Sequence, residues 1–273
     1  MTALDIQPAT RLETAAPGSG PRRFAALARG ETTILLRNRT AIFTAVAMPF
    51  VVGLAFSGMS QDQAGLGVVL TMVLVGTALM FVIYYTMVTS LVGRREQLVL
   101  KRLLAGEPTA LEILVAPAVP LWALFAVQSL IAIGGAMLMG TPMVHPWVLV
   151  VALIGGAAAW TALAIVSAAY TRTVESAQIS TLPLILISLL LSGFSVPLEW
   201  LPEPVQRIAH VLPMTPVVDL IKLAYTGVGV DGRILAGTAE TLTGAGAMLL
   251  PLLVWAAGAL LLGLRRFRWD PRS

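Results

Sequence analysis

The sequence contains no cysteine and few charged residues, and each shortage excludes whole classes of protein. Without cysteine there is no disulfide scaffold, no thiol nucleophile, no cysteine-bound metal and no palmitoylation. Charged residues make up 12% of the 273 residues, against about 25% in a soluble domain, whereas 57% are hydrophobic. The mean hydropathy of +0.86 excludes an ordinary soluble domain and a disordered chain. It indicates a membrane protein with several spans.

Six long apolar runs are each able to cross a bilayer, which takes about 20 residues of helix. Only the third run touches an acidic or basic residue, Glu112 at its edge. We therefore predict an all-α polytopic membrane protein with six transmembrane helices. The predicted spans are 41–59, 65–92, 111–139, 147–170, 179–196 and 245–264. Residues 1–20 are polar, and we predict a disordered tail there rather than a signal peptide.

The basic residues predict the orientation, because loops on the cytoplasmic side of a membrane carry the excess of Lys and Arg. Fifteen of the 18 lie before the first predicted span, in the loops after the second and fourth spans, or after the last span. The other three are Arg207, Lys222 and Arg233. This bias predicts that both termini are cytoplasmic. It also explains the isoelectric point of about 10.0 without any nucleic-acid partner.

Residues 21–39 fit an amphipathic helix that precedes the first span. The apolar face consists of Phe24, Leu27, Ala28, Ile34 and Leu35. Arginines lie opposite, and Glu31 and Leu36 are exceptions to the pattern. Such a helix lies in the membrane interface with its arginines near anionic headgroups. The alternative is a plain basic flank of the span.

The loop 93–110 has an apolar face as well as its charges. The apolar face holds Glu96 together with Val99, Leu100, Leu103 and Leu104. The opposite face holds Arg94, Arg95, Lys101 and Arg102. Gly106 and Pro108 are expected to end the helix. A topology anchor needs only the charges, so the apolar face favours a helix that docks on a protein partner over a plain basic loop.

The segment 197–226 is too apolar for a free loop and too rich in proline for a span. Two short helices fit it, 203–212 and 217–226. Glu203 and Arg207 would form an ion pair four residues apart, and Asp219 and Lys222 a pair three residues apart. Non-helical backbone enters a bilayer only where protein or water satisfies it, so this hairpin is either interfacial or re-entrant and packed on the spans.

The sequence shows no nucleotide-binding, metal-binding or catalytic motif. A Walker A loop needs Gly directly before Lys, and neither lysine follows a glycine. His145 and His210 have no metal-ligand spacing between them. An intramembrane serine protease is disfavoured, because Val196 stands where a G-x-S-G site needs Gly. An ion-coupled carrier is disfavoured too, because no span centre holds an ionisable residue.

The polar residues deep in the predicted spans are uncharged. They include Tyr84, Tyr85, Gln128, Ser129 and Thr161. Such residues either line a substrate pathway or join helices by hydrogen bonds, and the sequence leaves both interpretations open.

Two stretches resemble the membrane subunit of type-two ABC exporters, the group that includes daunorubicin-resistance-type permeases. Glu96, Leu100-Lys101-Arg102-Leu103 and Pro108 resemble the E-x-x-x-L-K-R-L…P loop of that family. The second stretch resembles its proline-rich segment before the last span. This stretch contains Ser192-Gly193, Pro197-Leu198, Leu201-Pro202, Leu212-Pro213, Thr215, Asp219, Lys222 and Gly227.

The resemblance implies a division of labour between chains. It implies that 21–39 is an elbow helix and that the loop 93–110 is a coupling helix for a separate ATPase subunit. Its coupling residues would be Glu96, Leu100, Lys101, Arg102, Leu103 and Pro108. The outer hairpin would act as a gate through Pro197, Pro202, Pro213, Asp219 and Lys222. ATP and Mg²⁺ would be bound by the partner, and this chain would hold no cofactor.

We therefore expect a multi-pass permease of the bacterial plasma membrane that exports a drug, a natural product or a lipid-linked molecule. Its expected partners are two ATPase subunits, a second permease chain, identical or homologous, and membrane lipids. The alternatives are a structural or regulatory membrane subunit without its own pathway, and an ion-coupled carrier.

Overall fold

The computed structural model describes residues 20–37, 65–193 and 198–270, with isolated positions 43, 47 and 51. Every regular element in these ranges is a helix, apart from a bridge pairing of Val228 with Ile234. The prediction of an all-α fold is confirmed. The predicted disordered tail, except Gly20, and nearly all of the first predicted span lie outside the described residues.

The helices are numbered here in chain order. They are α1 (Gly20–Arg37), α2 (Leu66–Glu96), α3 (Val99–Leu104), α4 (Ala110–Val115), α5 (Ala118–Leu138), α6 (Pro146–Tyr170), α7 (Val174–Ser180), α8 (Leu182–Leu191), α9 (Glu203–Val211), α10 (Thr215–Thr226) and α11 (Thr238–Arg266). Five units among the described residues are long and apolar enough to cross a membrane: α2, α4–α5, α6, α7–α8 and α11. The pair α9–α10, bent by 88°, would make a sixth.

Two helices begin before the predicted starts of their spans, because polar caps extend them beyond their apolar runs. α7 begins at Val174, where Thr173 and Ser176 form a capping box, and the predicted span begins at 179. α11 begins at Thr238, with Glu240 in its first turn, and the predicted span begins at 245. A capping box also explains Glu112 at the edge of the third run. Its carboxylate accepts from the Thr109 backbone N–H at 2.7 Å.

α2 forms the centre of the bundle. In the most apolar 18-residue stretch of α2, 83% of the stretch is buried, against 22% in the corresponding stretch of α11. α2 therefore lies inside the bundle and α11 at its outside. Small residues let the neighbours approach. A Cβ at Gly156 of α6 would lie 3.1 Å from Leu79 Cδ1 of α2 and 3.2 Å from Val217 Cγ2 of α10. The three helices therefore meet closely at this glycine.

The helix ends gather at two opposite ends of the bundle. The first, called here the basic end, contains Arg95, Lys101 and the residue after α11, Phe267, together with the end of α6. At the opposite end, the backbone N–H groups of Val144 and His145 both donate to the Ala224 carbonyl at 2.9 Å. The C-terminal ends of α2, α6 and α11 thus lie together at the basic end.

Candidate functional site

The segment between the second and third predicted spans folds as a turn and a short helix. α2 continues to Glu96, and Gln97 and Leu98 form a turn before α3 begins at Val99. Leu98 has a φ of 60°, a left-handed conformation that is uncommon for a residue other than glycine. Residues 97–109 are called the coupling segment below. The predicted single helix through Glu96 and Leu103 is wrong, because the turn at Leu98 separates them.

The predicted docking face is also wrong in part. Leu100 is 0% exposed and belongs to the core of the chain, so it is not available to a partner. Leu103 is half-buried and packs against that core. The larger side chains exposed on and beside the coupling segment include Glu96, Leu98, Lys101, Arg102, Leu104 and Glu107. These residues combine two leucines with charges of both signs.

A cavity of about 620 Å³ separates the coupling segment from α1. Leu27 and Ile34 line it from α1, and Val99, Leu103 and Pro108 line it from the coupling segment. Pro108, one of the predicted coupling residues, is therefore half-buried and faces α1. The helical period alone does not predict that Leu100 enters the core while its neighbours line this cavity. A period defines which residues share a face, but not what lies against that face.

Two ion pairs connect α1 to its neighbours, one to the end of α2 and the other to the coupling segment. Both terminal nitrogens of Arg94 donate to the two carboxylate oxygens of Glu31, and both side chains are largely buried. Arg23 and Glu107 lie 3.7 Å apart and are more exposed. Glu31, an exception in the predicted amphipathic face, is thus the residue that joins α1 to α2. The sequence signal for this contact was an acidic residue on the same helical face as Ala28 and Leu35.

Two of the predicted pathway residues, Tyr84 and Thr161, are buried and contact neighbouring helices. Tyr84 is buried, its ring packs edge-on against Trp160 at 5.4 Å, and its hydroxyl lies 2.9 Å from Ser167 Oγ. Thr161 accepts a hydrogen bond from Trp122 Nε1 at 2.9 Å. These contacts join α2 to α6 and α5 to α6.

The other three predicted pathway residues lie on α2 and α5. Gln128 and Ser129 are buried on α5, and Tyr85 is half-buried on α2. Among the described residues, none of the five lines the cavities of about 250, 260 and 620 Å³. Helix joining therefore accounts for Tyr84 and Thr161, and the pathway role of all five stays a prediction.

Tyr84 and Tyr85 end a π-helical stretch of α2, Leu79–Tyr85. Thr86 Oγ1 donates to the Phe81 carbonyl five residues earlier, at 2.9 Å. A π turn inserts a residue into a helix and shifts the side chains that follow it. The π-helical stretch lies where α2 contacts Trp160, and nothing in the sequence pattern predicted it.

The segment predicted as an outer hairpin contains two helices, α9 and α10, near the two short helices expected there. Pro202 precedes α9, and Pro213 is buried in the bend before α10. Glu203 and Arg207 lie 3.6 Å apart, as the spacing predicts. α10 is mostly buried, and the Tyr225 hydroxyl lies 3.0 Å from Thr71 Oγ1 of α2.

α10 is therefore packed on the bundle rather than exposed as a loop. Asp219 and Lys222 are its half-buried charged residues. Their mutual pairing and the re-entrant position of the hairpin stay predictions. Pro197 lies outside the described residues.

The geometry agrees with what the comparison with protein families finds. The family model described as "ABC-2 type transporter" matches residues 22–225. The chain belongs to the ABC-2 type transporter family. No curated protein matches the sequence. The matched range runs from α1 to α10 and includes the coupling segment and both helices of the outer hairpin.

Membership of the ABC-2 family identifies the chain as a transporter permease and a multi-pass membrane protein. Permeases of this family normally work with an ABC ATPase partner. In the described part of the chain, no group of three or more His, Asp or Glu residues could hold a metal ion.

Proposed function

We propose that this ABC-2 permease is an exporter subunit of the daunorubicin-resistance type, driven by ATP that a separate ATPase subunit hydrolyses. Two permease chains, identical or homologous, and two ATPase subunits would form the transporter. ATP and Mg²⁺ would be bound by the ATPase chains. The transporter would lie in the bacterial plasma membrane with both termini of this chain in the cytoplasm and α1 as an elbow helix.

The observation that carries the proposal is the coupling segment at the basic end. It joins two apolar helices and exposes Leu98 and Leu104 beside Lys101 and Arg102. Apolar side chains flanked by charges suit a groove on a protein rather than a lipid surface alone. The sequence has no Walker A loop, so energy from ATP has to arrive through such a contact.

The proposed substrate is hydrophobic or amphipathic: a drug, a natural product or a lipid-linked molecule. Five candidate spans hold no Asp, Glu, Lys or Arg at their centres, so a strongly charged substrate would meet no counter-charge there.

The test is efflux from vesicles that contain this chain and the ATPase subunit that co-purifies with it, with daunorubicin as the fluorescent probe. We expect efflux that requires ATP and disappears when the nucleotide site of the partner is disabled. The permease alone should hydrolyse no ATP. Efflux that persists on a proton gradient without ATP would instead identify an ion-coupled carrier.

A subunit without its own pathway is the second candidate. The internal contacts of Tyr84 and Thr161 favour it, since these residues are already used to join helices. Co-purification with an ATPase cannot separate the two candidates. ATP-dependent efflux by vesicles that contain no other permease would exclude the second.

A further inference from the structure

Arg95 is the most deeply buried charged residue among those described. It lies in the last turn of α2, one residue before that helix ends, and its side chain is 0% exposed. Arginine is almost never fully buried without partners. Its neighbour Arg94 points to α1, so the two adjacent arginines hold different elements. The hydrogen-bond partners of Arg95 must therefore lie on another side of the bundle.

The guanidinium group of Arg95 caps the end of α6. Nη1 donates to the Ala168 carbonyl at 2.9 Å, and Nη2 donates to the carbonyls of Thr171 and Arg172, the latter at 3.1 Å. The last carbonyls of a helix have no partner within it and carry partial negative charge. A cation from α2 therefore supplies what the end of α6 lacks.

The same group contacts the segment that follows α11. The guanidinium carbon lies 5.9 Å from the centre of the Phe267 ring, which packs edge-on against Trp269 at 5.1 Å. Just before Phe267, Gly263 lets α11 approach α6. A Cβ there would lie 2.8 Å from Ile165 Cγ2 and 3.2 Å from the Val166 nitrogen. The ends of α2, α6 and α11 thus meet around one side chain.

The coupling segment is joined to this cluster from both directions. The Leu98 backbone N–H donates to the Arg95 carbonyl at 3.0 Å, and Arg102 N–H donates to the Leu98 carbonyl at 3.1 Å. From α3, Lys101 Nζ lies 2.5 Å from Asp270 Oδ1, three residues beyond Phe267. The coupling segment is therefore connected to Arg95 by backbone hydrogen bonds and to the segment 267–270 by an exposed ion pair.

We propose that Arg95 is the positioning residue that transmits movement of the coupling segment to the ends of α6 and α11. This inference rests on the proposed function, since it assumes that an ATPase subunit moves the coupling segment. The planar guanidinium group donates to three carbonyls while it lies over a ring. A lysine ammonium is a compact charge that cannot reproduce that arrangement.

The test uses the complex of the full chain with its co-purifying ATPase in lipid nanodiscs. Because the chain has no cysteine, Val230→Cys provides a single reporter at the opposite end, where Val230 is exposed. Its rate of reaction with a maleimide is measured without nucleotide and after trapping with ATP and vanadate. The difference between the two rates is normalised to the amount of trapped nucleotide.

We expect Arg95→Lys and Phe267→Leu each to reduce the normalised difference by about fivefold or more, the lower end of typical coupling between sites. Arg266→Lys is the matched control, since it makes the same exchange on an exposed residue beside Phe267. A purely structural role would lower the yield or the melting temperature and leave the normalised difference unchanged, which would overturn the inference. If Arg95→Lys fails to assemble, Phe267→Leu decides, because it keeps an apolar side chain and removes only the ring.

The failure of the proposed function has a different signature. If no ATPase co-purifies, or if neither Val230→Cys nor Ile234→Cys responds to nucleotide in the otherwise unaltered chain, the proposed function fails and the inference with it. A response that is present there and fully retained in both variants overturns the inference alone.

Discussion

Neutralising Glu31 should destabilise the chain much more than neutralising Glu107, although both carboxylates pair with an arginine at the basic end. Glu31 and Arg94 make two parallel contacts, with side chains only 9% and 15% exposed. Glu107 and Arg23 lie 3.7 Å apart, with side chains 54% and 28% exposed. Glu31→Gln and Glu107→Gln therefore form a matched pair of variants that differ mainly in burial.

The magnitudes follow from that burial. Removing one partner of a buried ion pair typically costs about 3–5 kcal/mol, because it leaves an uncompensated charge. Cavities of about 260 and 620 Å³ border Glu31 and Arg94, so water can reach part of the remaining charge. We therefore expect the low end, about 3 kcal/mol, for Glu31→Gln. An exposed pair contributes about 0–1 kcal/mol, which is the expectation for Glu107→Gln.

The assay is reversible unfolding of the purified chain in mixed micelles, followed by tryptophan fluorescence. A double-mutant cycle with Arg94→Gln isolates the interaction, and the double variant should lose less stability than the two single variants added together. Destabilisation by Glu31→Gln within about 0.5 kcal/mol of that by Glu107→Gln, the usual range for surface changes, would refute the reasoning.

Two further predictions concern orientation and docking. With an impermeant thiol reagent on intact cells, Gln63→Cys and Gly237→Cys should be labelled and Gly106→Cys should not, and labelling of Gly106→Cys would reverse the proposed topology. Leu104→Asp, which puts a charge on the exposed apolar part of the coupling segment, should weaken assembly with the ATPase by about tenfold or more without loss of chain stability. Ile234→Asp, an equally apolar and exposed position at the opposite end, is the control. Equal assembly of the two variants would make the coupling segment a plain anchor.

The spans themselves were predictable from sequence, because a bilayer imposes a length and an apolar composition on any helix that crosses it. The second, third and fourth apolar runs each correspond to a candidate span among the described residues. The differences concern where two of the helices begin. Val174 and Thr238 begin their helices in polar sequence, where capping decides and hydropathy gives no signal.

The coupling segment was predicted in position but not in conformation. A leucine rarely adopts a positive φ, so no rule of turn chemistry selects Leu98 as the break between α2 and α3. Once the break occurs, the register of α3 changes, and Leu100 turns into the core instead of outward. A helical wheel drawn through Glu96 and Leu103 assumes one continuous helix and therefore misplaces Leu100, which is buried.

The arginines show why a charge count predicts orientation but not the role of each residue. Arg94, Arg95 and Arg102 contribute equally to the positive-inside bias. In the fold, Arg94 holds α1, Arg95 holds α6 and the segment after α11, and Arg102 is exposed. Since fifteen basic residues share the proposed cytoplasmic side, the loss of any one leaves the bias nearly intact. A defect in Arg94 or Arg95 variants therefore reports on contacts between helices rather than on inverted insertion, which makes stability and coupling measurable apart from topology.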